Sequence, residues 1–532
     1  MSDVFFSQEQ FKELLEVIEN DPTSENLARL AREYNYRSYY DLAIESARKA
    51  IEKDQLNWDG WYELILASGF KNYRELEKIK EELDSFLETW NGGDYKDTGL
   101  IRNLALINYF LEKDVLAISL IEQAIGDNPE NDTFHEVKGY ILHALGKTTE
   151  ALKCFGESVR LNSRNCRSMR MIGKCYLDLG EGGKGVAKIT ESLRIEPCFV
   201  AAWHLLGEYH LDHNNILGGI QSFARARSIN PRDWGSYFLM AEFFMSRGDY
   251  DIAIAEIKKL FLFEDDKEVR AEALNLIGYA HFLQGNFDDA NYYFNTAIAF
   301  NPAYALGYFN LGELERKRGN FEKAVHFYQE ALKRDPHHIP SITQTGFAYL
   351  TLKKMEQAEE MFQIAVELEP EETSAYLGLS ECSRSRRHYR EQLAFVRKAW
   401  EIAPENSQVL NYMGIAYQCN QNFSRAEQAY FASLKADPHN RKTANNLAYL
   451  YEKKYNRAKG KKEKAELREK AIAAWEVRLL ACRSAGTSIR GAQNHLRNFG
   501  ISDQEIDNLL RLGDVTELSL IQQVQDMAID LG

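Results

Sequence analysis

Between Ala271 and Asn440, small, apolar and polar residues recur in fixed columns with a period of 34 and no insertion. With Ala271, Ala305, Ile339, Thr373 and Ser407 as position 1, position 8 reads Gly278, Gly312, Gly346, Ser380, Gly414, and position 20 reads Ala290, Ala324, Ala358, Gln392, Ala426. Position 24 is Phe294, Tyr328, Phe362, Val396, Tyr430, and position 27 is Ala297, Ala331, Ala365, Ala399, Ser433. Small residues at 8 and 20 let two helices approach closely, while larger side chains at 4, 7 and 24 fill the space around the contact. Each period therefore predicts an antiparallel helix pair. Gly285-Asn286 and Gly319-Asn320 supply the turn inside a pair, and an Asp, Asn or Glu before proline ends its second helix.

The same register extends outward with decreasing fidelity. Residues 1–23 predict a capping helix, with Phe11, Leu14, Leu15 and Ile18 on one side of Ser7–Asn20. Residues 24–97 hold two degenerate units, the first marked by Ala31, Ala43, Ala47 and Ala50, the second stretched and closed by the Asn91-Gly92-Gly93 breaker. Residues 98–270 hold further units, the last lengthened around Glu264-Asp265-Asp266, and 271–440 hold the five regular ones. In 441–485 a divergent last unit carries an insertion near Tyr455–Glu466, and 486–532 predicts a helical cap or tail.

Pro302, Pro336, Pro370, Pro404 and Pro438 stand 34 residues apart, and eight of the ten prolines occupy this one column. The period with its small-residue, aromatic and proline columns resembles the tetratricopeptide repeat family. The resemblance implies an all-α fold, a right-handed superhelical solenoid of about 11 clear and two degenerate units. It also implies a concave groove, lined by the first helix of each pair, that binds extended peptides or partner helices.

Positions 2, 5, 9, 12 and 13 would face that groove. Arg102, Arg167, Arg170 and Lys174 would give it a basic section suited to acidic side chains. Phe238, Tyr279, Phe282, Phe309, Phe347, Leu350 and Leu377 would form an apolar stretch, which on a free surface marks an interface. Asn275, Asn411 and Asn445, all at position 5, would hydrogen-bond a ligand backbone. The partner expected from these residues is a protein presenting an apolar segment with flanking acidic residues. Burial of the aromatics by a tightly wound superhelix or by the chain's own termini is the competing expectation. Self-association is compatible with an open-ended array.

Composition narrows the function classes. A chain of 532 residues exceeds one compact core, and its net charge of −14 argues against general affinity for nucleic acid. No run of 18 apolar residues predicts membrane insertion, and the N-terminus lacks a secretory pattern, so a soluble, cytoplasmic protein is expected. Seven scattered cysteines without a C-x-x-C pair predict reduced thiols. His204, Glu208, His210 and His213 are the one metal-like cluster, but His210 points away from a common face with His204, so no metal or other cofactor is expected. Gly180–Gly185 falls at a repeat turn with no preceding strand, and no catalytic motif is present. The expected function is a non-enzymatic scaffold or adaptor, with a structural subunit of a large assembly as the alternative. Lys453–Lys470, nine basic and three acidic residues, reads as a solvated, flexible insertion or as a dock for an acidic partner or a phosphate-rich surface.

Overall fold

The computed structural model describes residues 2–71, 73–89, 97–263, 266–512 and 514–527. The Asn91-Gly92-Gly93 breaker, together with Glu264 and Asp265, lies outside the described residues. Every regular element among the described residues is helical, and successive helices pair in the 34-residue register.

Local chemistry sets the ends of these helices. Asn165, Asn406 and Asn440 each precede a first helix and accept hydrogen bonds from its first free backbone N–H groups. Between the helices of a pair, position 15 adopts a left-handed backbone. Gly146, Gly180, Gly248, Gly285 and Gly319 have φ of +72° to +83° there, whereas Ser38, Glu112, Asn214, Lys353, Arg387 and Gln421 take the same conformation with a side chain attached.

Within a pair, the ring at position 24 lies on the bare backbone at position 8. A Cβ on Gly312 would stand 2.4 Å from the Tyr328 ring, on Gly346 2.7 Å from Phe362, and on Gly414 2.3 Å from Tyr430. The alanines at positions 20 and 27 are fully buried alongside. The unit at Thr373 departs from this pattern as a set: Ser380 replaces the glycine, the smaller Val396 replaces the ring, and Gln392 is buried in the alanine column.

The chain divides into two compact units, 1–284 and 285–532, and the division falls between the two helices of the first regular repeat. In residues 1–284 the helix Trp58–Lys71 is the innermost element, with Gly60 through Ser68 buried in unbroken succession. A helix that is apolar nearly all round must be enclosed. In residues 285–532 the helices are progressively covered at the C-terminal end. Ser519–Asp526 packs on Phe423–Ala436 and Lys461–Ser484, burying Ile521 and Val524. The insertion in the last repeat lengthens two helices, Arg441–Arg457 and Lys461–Ser484, which are joined by three residues, so it is ordered secondary structure and not a loose loop.

Candidate partner-binding surfaces

In residues 1–284 the side chains expected to line a groove bind other parts of the unit. Glu63, fully buried in the helix Trp58–Lys71, accepts a two-pronged interaction from Arg167, with Nη1–Oε1 at 3.0 Å and Nη2–Oε2 at 2.6 Å. Arg32 Nε donates to the same carboxylate at 3.0 Å and Asn35 Nδ2 at 2.9 Å. Burial alone would raise the pKa of Glu63, but the two guanidinium groups and Asn35 outweigh it and hold the carboxyl at about 2. Arg167 is likewise kept charged: Glu63 more than reverses the effect of its burial. This cluster joins residues 104 apart in sequence.

The first repeat makes further distant contacts within the unit. The Tyr36 ring meets Phe199 edge-on at 5.1 Å, Tyr39 Oη donates to the Ile229 carbonyl, and Asn230 Nδ2 donates to the Ser38 carbonyl. Arg102 is buried and bridges three first helices: it donates to the Trp58 carbonyl at 2.7 Å, contacts Asp59 and Thr133, and stands 4.4 Å over the Tyr62 ring. Arg170 lies half-buried over Phe199. Of the four expected basic residues, Lys174 stays nearest to solvent, paired with Asp178 at 3.0 Å.

Position 5 is therefore largely a seam between neighbouring first helices, which corrects the exposure expected for it. Phe238, Asn275, Leu377 and Asn411 are buried, as Arg102 is. Phe238 packs on Trp234, Asn411 Oδ1 accepts from Asn446 Nδ2 at 2.9 Å, and Asn445 Oδ1 accepts from Arg478. His204 follows the same rule. Its Nε2 lies 2.6 Å from Asp233 and 3.0 Å from Ser236, on the next first helix, and the described residues hold no cluster of metal-ligating side chains.

Positions 9 and 12 remain more open. Tyr279 is 39% exposed and stacks with the half-buried Phe282 at 6.1 Å. In residues 285–532, Phe309 at position 5 and Phe347 and Leu350 at positions 9 and 12 are half-buried. One side of Phe309 is held by Tyr328 and His338, and Phe347 rests on Phe362 at 4.9 Å. Leu306, at position 2 beside them, is 39% exposed. Phe309, Phe347 and Leu350 are fixed from below by the core of their repeats and retain accessible surface.

Glu63 is the residue that sequence reasoning missed. Its signal was a lone carboxylate inside the apolar run Trp61–Ala67, which requires a buried cationic partner. Which arginine would supply it was not encoded locally.

Among the described residues no helix is long and apolar enough to cross a membrane. Family profiles described as Tetratricopeptide repeat match residues 134–165, 271–304, 305–338 and 340–372. The chain is 22% identical over 455 residues to the TPR repeat-containing protein MJ1428 of Methanocaldococcus jannaschii, covering 80% of this chain and 71% of that protein. It is similar to the BBSome complex member bbs-4 of Caenorhabditis elegans, 22% identical across 40% of this chain and 47% of that one. A third relative is the RNA polymerase-associated protein CTR9 of the same organism, 23% identical across 57% of this chain and 28% of that one. These matches identify the repeats at residues 134–165 and 271–372 as tetratricopeptide repeats, and the 34-residue register and the helix pairs built on it carry the same pattern along the chain.

Proposed function

We propose that this chain is a non-enzymatic scaffold that holds an apolar segment of a partner protein against the first helices of residues 305–372. Tetratricopeptide repeats imply a protein–protein interaction scaffold, and relatives are named as a BBSome complex member and an RNA polymerase-associated protein. The observation that carries the finer reading is the row of Leu306, Phe309, Phe347 and Leu350, apolar and partly accessible on neighbouring first helices, with Phe309, Phe347 and Leu350 packed on the core beneath them. Pre-fixed apolar side chains lose little entropy on binding, so they serve well as interface anchors. Acidic flanks on the partner gain less support, since Arg102 and Arg167 are already engaged within the protein.

The test is affinity purification with crosslinking mass spectrometry on the intact protein, a Phe309→Ala/Phe347→Ala variant and a Leu306→Glu variant. Partners crosslinked at residues 305–372 and lost from both variants, with melting unchanged in Leu306→Glu, are expected. Partners retained by both variants would overturn the reading. A second reading, a structural subunit using outer faces, is favoured by Val115 and Leu217 on second helices, 88% and 66% exposed. It predicts crosslinks on those helices and a fixed stoichiometry.

A further inference from the structure

We infer that the last repeat carries a separate docking site for an acidic peptide segment bearing an aromatic or long aliphatic side chain, in the cleft that the basic insertion forms over Phe423. First and second helices of the regular repeats run 13 and 14 residues, as in Ser407–Cys419 and Phe423–Ala436; here they reach 17 and 24. The two extensions, Lys454–Arg457 and Lys461–Leu467, are joined by Ala458–Gly460, and with Phe423, Leu450 and Lys453 they line a cleft of about 650 Å³. Its apolar part is formed by Phe423, Leu450 and Leu467, and its rim by Lys453, Arg457 and Lys459.

The charges of the rim do not cancel. Lys454 is held by Glu427 at 2.5 Å and Glu466 by Lys470 at 2.9 Å, so these two lining residues are neutralised locally. Lys453, Arg457 and Lys459 are exposed and enter none of the ion pairs described among these residues, with Glu463 the one acidic side chain left beside them. Lys453 stands 5.4 Å and Arg457 5.9 Å from the Phe423 ring centre, so an apolar surface is bracketed by cations. A ligand side chain laid on Phe423 and Leu467 would place neighbouring carboxylates within reach of both. The volume suits one or two side chains of an extended segment. Three cations against one carboxylate, on a chain of net charge −14, favour a short acidic peptide over a long polyanion, whose remaining phosphates would be repelled. The site is independent of the apolar row at residues 305–372.

The test is fluorescence anisotropy on the full chain with a fluorescein-labelled dodecapeptide of Asp and Glu around a central Phe-Leu pair. Two control peptides replace the acids by Gln or the central pair by Ser. A Lys453→Gln/Arg457→Gln/Lys459→Gln variant alters exposed side chains, and circular dichroism checks its fold. Loss of roughly tenfold in affinity is expected for the triple variant, the sum of three exposed charge pairs. Either control peptide should bind more weakly, and raising salt from about 50 to 300 mM should weaken the wild type more than the variant. The Phe309→Ala/Phe347→Ala variant should bind the peptide as the wild type does, which separates failure here from failure of the groove reading. Equal binding by wild type and triple variant would overturn the site. Equal or tighter competition by a twelve-nucleotide oligouridine, or by vesicles of phosphatidylcholine with 30% phosphatidylserine, would overturn its assignment to a peptide. A concentration-dependent dimer, lost in the triple variant and unaffected by the peptide, would instead make a second copy of the chain the occupant.

Discussion

The first helices of residues 1–284 and of residues 285–532 are built on one register, yet Arg102, Arg167 and Tyr36 in the first unit and Phe309, Phe347 and Leu350 in the second use it in opposite ways. In the first unit, Arg102, Arg167 and Tyr36 bind Trp58, Glu63 and Phe199, so the repeats hold one another across long sequence separations. In the second, Phe309, Phe347 and Leu350 rest on their own repeats and keep part of their surface accessible. A charged side chain buried in a stack must find a partner, and that need draws distant repeats together. An apolar side chain at the same place needs only a half-share of contact and leaves the face open to another molecule.

This contrast is tested most severely at Arg167. Arg167→Ala leaves Glu63 buried with a weakened partner set and should cost about 3–5 kcal/mol. Amide exchange should rise around Ser38–Tyr40 and Ile229–Asn230 and stay unchanged in residues 305–440, because coupling in repeat proteins is carried mainly by neighbours. Equal loosening of both units would break the distinction.

Acid should act on the same unit. With its folded pKa held near 2 against an ordinary value of 4.5, Glu63 stabilises the folded state fully above pH 4.5, and that contribution drains as pH falls towards 2. Its size is on the order of 3 kcal/mol. Unfolding followed from pH 5 to 2 should show residues 1–284 melting first, and a Glu63→Gln variant should lose this acid dependence while starting from lower stability.

The second unit should be most sensitive where repeat packing is tightest. Gly414→Ala places a methyl group against Tyr430, where the Cβ would stand 2.3 Å from the ring, and overpacking of this kind costs about 1–3 kcal/mol. The loss should appear in the melting of residues 285–532 alone. A smaller effect of opposite sign is expected at Lys353, which holds φ of +61° where the preceding repeat uses Gly319. Lys353→Gly should stabilise by about 0.5–1 kcal/mol, the left-handed strain relieved less the entropy that glycine loses on folding.

Much of the fold was legible because a repeat writes its own geometry many times. Gly312, Gly346 and Gly414 announced the close contact with Tyr328, Phe362 and Tyr430, and eight aligned prolines announced where second helices end. The site was less legible. Position 5 reads as a surface column when one repeat is considered alone, and Arg102, Phe238 and Asn411 become buried only because an adjacent first helix closes over them. Likewise the basic run at Lys453–Lys470 shows its charge in the sequence, while its cleft depends on how far two helices continue before they turn.

The sequence by itself determined the helix pairs, their register and their turns, since these follow from contacts within 34 residues that every copy repeats. Tertiary structure alone decided which inward side chains were consumed and which stayed available. Glu63 and Arg167 stand 104 residues apart, and no periodic signal reports a pairing made once, between repeats that are not neighbours. Short-range packing recurs and is therefore readable, whereas a single long-range ion pair is set by the accumulated rotation of the repeats between its partners.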